Sequence, residues 1–398
     1  MSKAGGQQGG ARVFRGVDVL TRGRRLRGCA LLVARGKVRA VGKAAERLGR
    51  KLGARRVDLG SSGGAYLAPG YLDLHTHGAV GVNFMETDTA GLERAALHYL
   101  SCGVTGLLLS LYPSTFKESI RVLESLSRSL DAGAGGGVFL GIHLEGPYLN
   151  PKRPGALPAS YFLTYRSSEV DGLLRAGGGW VRTMTIAPEM PGGMALVRHL
   201  LRRAVVPAFG HSDAAYDATR RSIDGGVRYA THLFNAMRGI HHRDPGAVTA
   251  LLEDPRVAVE LIADGYHVDV AVLRLVHAVK HQNRVVVVSD SIHPCGLKPG
   301  SYRFAGGTVI ARGGRVTLED GTLAGSLLSL DRAVALHVHK VGLSPEDSVL
   351  LASGNPARVL GIERSRGDIA PGRRADMVLL DENMKVQGTW LAGERVFG

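Results

Sequence analysis

The chain has 398 residues, 55 of them glycine, with few aromatics, three cysteines and a formal net charge of +15. That length suits a large barrel of roughly 250 residues plus a smaller domain, and the absence of any apolar run of about 18 residues argues against a membrane span. Cys29, Cys102 and Cys295 lie far apart and in odd number, which excludes a disulfide framework and a Cys-x-x-Cys metal site and points to a reducing, cytoplasmic setting.

The first stretch, Met1 to Arg12, lacks the apolar centre of a secretory signal and reads as a mobile tail. Short strand patterns follow at Arg12–Leu20, Cys29–Ala34 and Lys37–Val41, with glycines at the turns. Residues 1–56 hold 16 Lys and Arg against two acids, Asp18 and Glu46, so nearly all the net charge sits there. A solvated basic face is the reading, and no nucleic acid is expected as a partner.

From residue 67 onward, strand runs alternate with helical ones, the pattern of βα units around a parallel sheet. Expected strands are Tyr71–His75, Val104–Leu111, Val138–Glu145, Val181–Ala187, Val205–Gly210, Tyr229–His232, Ala258–Ala263 and Val285–Ser289. Eight strands match a closed barrel. Expected helices are Thr89–Ser101, Phe116–Leu130, Met194–Arg203, Asp213–Gly225, Val268–Lys280, Ser329–Val341 and Pro345–Ser353. The chain then returns to short strands at Ala375–Leu380, Gln387–Leu391 and Glu394–Phe397. Neither end has enough strands for its own domain, so the two ends are expected to pair. The fold class is thus an α/β chain with a (β/α)8 barrel at 67–364 and a small β-sandwich from 1–66 and 365–398.

Several expected strands end in groups able to bind a metal. His75 and His77 stand one residue apart, and residues i and i+2 of a strand face one side. Glu145, His211, His232 and Asp290 close four further runs. In a parallel barrel these C-terminal ends share one mouth, where active sites of that architecture lie.

The motifs carrying these residues resemble the N-acetylglucosamine-6-phosphate deacetylase family of the amidohydrolase superfamily. They are Pro69-Gly70 with His75-Thr76-His77, His143-Leu144-Glu145-Gly146-Pro147-Tyr148, Gly210-His211-Ser212-Asp213-Ala214, Thr231-His232-Leu233-Phe234-Asn235-Ala236-Met237, Asp264-Gly265-Tyr266-His267 and Ser289-Asp290. Gly321-Thr322-Leu323-Ala324-Gly325-Ser326 and Asn355-Pro356-Ala357 continue the match. The resemblance implies a (β/α)8 barrel with a β-sandwich from both chain ends. It implies a divalent metal on Glu145, His211 and His232, and a second on His75 and His77 with Glu145 as bridge. Zinc is the first choice of ion, with iron, manganese or cobalt as alternatives.

The implied reaction removes the acetyl group of N-acetylglucosamine 6-phosphate. A bound divalent ion lowers the pKa of its water from 15.7 to about 7, and Asp290 then serves as general base and returns the proton to the leaving amine. Carried over as substrate contacts are Ala156, Asn235, the backbone of Ala236, Arg243 and His267. Arg243 corresponds to a residue that reaches the neighbouring site of a homodimer, where a guanidinium can grip phosphate with two donors. His143 reads as support for its neighbours rather than a ligand.

Two departures stand out. Leu157 occupies a place where the family usually has His or Gln to stabilise the tetrahedral intermediate, and Ser291-Ile292-His293-Pro294-Cys295 replaces a run of small residues. His293 is the candidate stand-in for the missing donor. The competing readings are the same reaction on the galacto epimer, and a catalytically impaired homologue acting as a binding or regulatory protein.

Overall fold

In the computed structural model, which describes residues 10–398, eight parallel strands run in strict sequence order around a sheet. They are Tyr71–Thr76, Val104–Leu111, Phe139–Glu145, Val181–Ile186, Val206–Phe209, Tyr229–Ala230, Ala258–Ile262 and Val285–Val288. Their near-continuous apolar composition is what a parallel sheet covered on both faces needs; all four valines of Val285–Val288 are fully buried. Closure comes just beyond the last strand, where Asp290 N–H donates to His75 O (2.8 Å) and His77 N–H to Ser291 O (2.8 Å). The eight-stranded barrel expected from the sequence is therefore present. Part of the tail expected at Met1 to Arg12 lies outside the described residues.

The chain divides into two compact units: 73–98 with 106–329, and the two chain ends with 99–105. In the end unit, Tyr66–Pro69 pairs antiparallel with Met377–Leu380 in a six-stranded sheet, so the ends do form one β structure. A four-stranded sheet of Lys37–Val41, Leu31–Ala34, Arg12–Arg15 and Arg55–Asp58 belongs to the same unit. Phe14, Val19, Leu31, Leu67, Met377, Leu379 and Trp390 share one core cluster. No disulfide joins Cys29, Cys102 and Cys295. No helix among the described residues is long and apolar enough to cross a membrane.

Several elements differ from expectation for identifiable reasons. The single strand expected over Arg12–Leu20 is two, Arg12–Arg15 and Asp18–Thr21, in different sheets. Gly16 makes the break at φ +87°, where a Cβ would meet Asp58 Oδ1 at 2.5 Å. The helix expected from Asp213 starts only at Tyr216, because Asp213 N–H donates to Glu189 Oε1 (2.9 Å) and Ala214 N–H to Ser212 Oγ (3.1 Å). The helix expected over Ser329–Val341 is α only for Leu330–Leu336 and ends in a π-turn, His337–Val341. Helices at Lys43–Lys51, Ser167–Ala176, Gly246–Glu253 and Gly354–Val359, and an antiparallel insertion of Gly300–Phe304, Gly307–Arg312 and Arg315–Thr317, were not expected.

Candidate metal centre and active site

The barrel mouth gathers the six strand-end groups into two buried sets, His75–His77–Asp290 and Glu145–His211–His232. Three of the residues that turn inward do so with left-handed backbone: His211 at φ 47°, His232 at φ 24° and Asp290 at φ 48°. Non-glycine residues adopt this conformation at a cost, and such strain concentrates at functional sites. Gly325, at φ +60°, packs against Asp290; a Cβ there would lie 3.0 Å from Asp290 O and 2.5 Å from Ile292 Cγ2.

Hydrogen-bond partners orient the rings. His77 Nδ1 is 3.1 Å from Ser110 O, and His211 Nδ1 is 2.9 Å from Arg153 O. A carbonyl only accepts, so each Nδ1 carries the proton and each neutral Nε2 offers a lone pair. Those lone pairs converge. His211 Nε2 lies 3.1 Å from His232 Nε2, and both lie within 3.1 Å of Glu145 Oε1. His75 Nε2 lies 3.3 Å from His77 Nε2, with Asp290 Oδ1 3.5 and 3.4 Å from the two.

Converging acceptors repel unless a cation or protons sit among them. Ligand atoms at about 2.1 Å from an ion are about 3.4 Å apart at tetrahedral angles and about 3.0 Å apart at right angles, which spans the 3.3–3.5 Å of the His75–His77–Asp290 set and the 3.0–3.1 Å of the Glu145–His211–His232 set. The donor set therefore fits divalent ions. Glu145 touches both sets, with Oε2 3.2 Å from His77 Nε2 and Oε1 3.6 Å from His75 Nε2. Burial disfavours charge on all of these groups, yet opposite charges outweigh it. Without an ion, protons fill that place: Glu145 and Asp290 are held below the usual carboxylate range and His75 and His77 above the usual imidazole range, and a bound divalent ion would displace those ring protons.

A cavity of about 240 Å³ opens onto this cluster. Among the expected substrate contacts, Ala156, Asn235, Ala236 and His267 line it, and Leu157 does too. His267 is aimed by Asp264, whose Oδ2 is 2.7 Å from Nδ1. Arg243 is exposed and does not line it. No Lys or Arg is among the lining residues, although Phe304, Ile262, Ile292 and Leu323 give it an apolar wall. His293 is likewise outside the lining, its ring stacked on Phe304 with centroids 6.2 Å apart. That placement removes it as the stand-in donor. His143 is not in either metal set; it sits between Ser110 Oγ (2.9 Å) and Thr185 Oγ1 (2.8 Å), and burial pushes its pKa well down.

One buried carboxylate at the centre escaped the sequence reading. Glu260 lies 1 % exposed in the strand Ala258–Ile262, with Oε2 3.1 Å from His75 Nδ1. The available signal was an acid in the middle of an apolar run, Val259-Glu260-Leu261-Ile262.

A strand-end cluster of histidines and carboxylates at the mouth of a parallel barrel defines a metal-dependent hydrolase of the amidohydrolase type. The amidohydrolase family model matches residues 66–396, and the chain belongs to that family. Within it the similarity is to the N-acetylhexosamine-6-phosphate deacetylases. An N-acetylgalactosamine-6-phosphate deacetylase of Escherichia coli O157:H7 is 36 % identical over 82 % of this chain and 87 % of its own. The N-acetylglucosamine-6-phosphate deacetylase of Vibrio furnissii is 32 % identical over 87 % of this chain and 86 % of its own. The solved structure of N-acetyl-D-glucosamine-6-phosphate deacetylase from Mycobacterium smegmatis, a mutant in complex with N-acetyl-D-glucosamine-6-phosphate, is 34 % identical. It superposes with a TM-score of 0.89, covering 98 % of this chain and 100 % of that one.

Proposed function

We infer that the chain hydrolyses N-acetylglucosamine 6-phosphate to glucosamine 6-phosphate and acetate. The observation that carries this is the joining of the Glu145–His211–His232 and His75–His77–Asp290 sets to a cavity lined by Asn235, Ala236 and His267, in a chain of this family. Glu145, His211 and His232 would hold one divalent ion and His75 and His77 a second, zinc in the first instance. Such an ion supplies hydroxide at neutral pH and polarises the acetyl carbonyl.

The remaining steps belong to the chain's own groups. Asp290 takes the proton of the attacking water at its carboxylate and delivers it to the departing nitrogen as the amide bond breaks. Ala156, Asn235, the Ala236 backbone and His267 hold the sugar phosphate in register. The cavity lining of one chain has no Lys or Arg, while the phosphate is dianionic. Arg243 of a second copy completes the phosphate site in a homodimer. We place the hydrolase barrel at 67–364 and the enzyme in the cytoplasm, in keeping with three cysteines that form no disulfide.

The test is acetate release by metal-quantified protein, with N-acetylglucosamine 6-phosphate, the unphosphorylated sugar, the galacto epimer and Asp290→Asn in parallel. The expected outcome is phosphate-dependent turnover on the gluco substrate that Asp290→Asn lowers by about 100- to 10,000-fold. Absence of turnover on both phosphorylated sugars, with the metal sites filled, would overturn the assignment.

A further inference from the structure

Glu260 is an acid where an acid is expensive. It lies mid-strand, 1 % exposed, among Ala258, Val259, Leu261 and Ile262, all buried. Burying an ionised carboxylate costs several kcal/mol unless other groups satisfy it. Its only ion-pair partner among the described residues is a histidine, His75, with no Lys or Arg beside it. Strand period places its side chain on the same face as Ile262, which lines the cavity.

The satisfying partners are specific. A single oxygen, Oε2, lies 3.1 Å from His75 Nδ1 and 3.0 Å from the backbone N–H of His232. The first contact puts the proton of His75 on Nδ1 and leaves Nε2 bare toward His77 and Asp290. The second holds the backbone of His232 at φ 24°, a conformation that brings its Nε2 to 3.1 Å from Glu145 Oε1. His75 belongs to one ion set and His232 to the other.

His77 and His211 are oriented differently. Their Nδ1 atoms face the backbone carbonyls of Ser110 and Arg153, which no side-chain substitution removes. Only His75 among these three depends on a side chain for its tautomer.

We propose that Glu260 is a positioning residue that locks His75 and His232 through one oxygen, so that the two ion positions are built as a single unit. This rests on the reading of the two sets as metal positions. A chain with Glu260 holds two ions, and a loss at Glu260 weakens the His75–His77–Asp290 position first, because that position loses its ring orientation outright. The other position keeps two ligands whose orientation is independent of Glu260, Glu145 and His211.

The experiment is equilibrium dialysis of the full chain against graded free zinc, with bound zinc measured by elemental analysis. Wild type, Glu260→Leu and Glu260→Gln are compared, with histidine ring tautomers followed by nitrogen NMR and folding checked by thermal melting in chelator. Wild type should bind two ions. Glu260→Leu should bind the second ion about 10- to 100-fold more weakly and lose the fixed His75 tautomer, while Glu260→Gln, which keeps an acceptor oxygen, should recover most of both. Should the Leu variant fail to fold, Glu260→Asp withdraws the oxygen by one methylene and is expected to show the same weakening. A folded Leu or Asp variant that titrates with zinc as wild type does overturns the proposal while leaving the metal positions standing. A wild-type chain that takes up no zinc overturns both.

Discussion

Leu157 is the residue that most separates this cavity from the chemistry it is built for. It lines the cavity as part of an apolar wall with Ile292, Phe304 and Leu323, and a leucine donates nothing to a developing oxyanion. One such donor is typically worth about 100- to 1000-fold in turnover. Leu157→His is therefore expected to raise kcat by about tenfold or more with a smaller change in KM, as steady-state kinetics on N-acetylglucosamine 6-phosphate would report. An unchanged kcat would mean that the carbonyl is polarised fully without a side chain at 157. The same wall is legible as a departure in the sequence, because Leu157 follows a recognisable Pro154-Gly155-Ala156. Glu260 was not, because a strand-centre acid becomes informative only when its partners, at sequence distances of 185 and 28 residues, are known.

At the scale of elements, the insertion after the last barrel strand decides the shape of the cavity. The hairpin Gly300–Phe304 and Gly307–Arg312 turns at Ala305 and Gly306, both with positive φ, and sets Phe304 against Tyr112 and His77 with ring centroids 4.8 and 6.4 Å apart. Phe304→Ala is expected to widen the apolar wall. The ratio of kcat/KM for an N-butyryl over the N-acetyl substrate should then rise by about tenfold or more, since burying each extra methylene is worth about 0.8 kcal/mol. A second element carries a pH signature. Asp254 follows the helix Gly246–Glu253 and pairs with Arg256 and Arg220. The Arg256 hydrogen bond, ahead of the opposing effect of burial, lowers its pKa to about 2. A carboxylate depressed on folding stabilises the native state above its unfolded pKa of about 3.9, and that stability disappears as pH falls through 2. Asp254→Asn is expected to cost about 1 kcal/mol at neutral pH, after screening of its exposed arginine partners. The difference from wild type in denaturant titrations should vanish near pH 2.

At the scale of the whole molecule, the proposed dimer makes a quantitative prediction. Arg243 is exposed and outside its own cavity, and if it serves a neighbour, two inactive variants can repair each other. Arg243→Ala and Asp290→Asn chains, each nearly inactive alone, should on mixing and subunit exchange regain about a quarter of wild-type activity. Half of the random dimers are mixed, and one of the two sites in each is complete. Light scattering that gives a monomer mass, or mixtures no more active than their parts, would place the phosphate contact within one chain.

The barrel and the gathering of histidines and carboxylates at its mouth are legible in local pattern alone. Eight apolar runs announce strands because a parallel sheet buries both faces, and the groups ending them stand out because nothing structural needs histidines and carboxylates there. The sequence also pointed to the pairing of the ends, which holds for the sheet joined at Tyr66–Pro69 and Met377–Leu380, although the N-terminal segment also builds a four-stranded sheet from its own residues. Long-range packing alone settles that Arg12–Thr21 belongs to two sheets, that Phe304 and not His293 lines the cavity, and that Glu260 meets His75 and His232. These depend on a break in the strand at Gly16, on the aim of a hairpin and on contacts across the barrel. Local periodicity reports which face of a strand a residue takes, and it carries no information on which distant strand that face will meet.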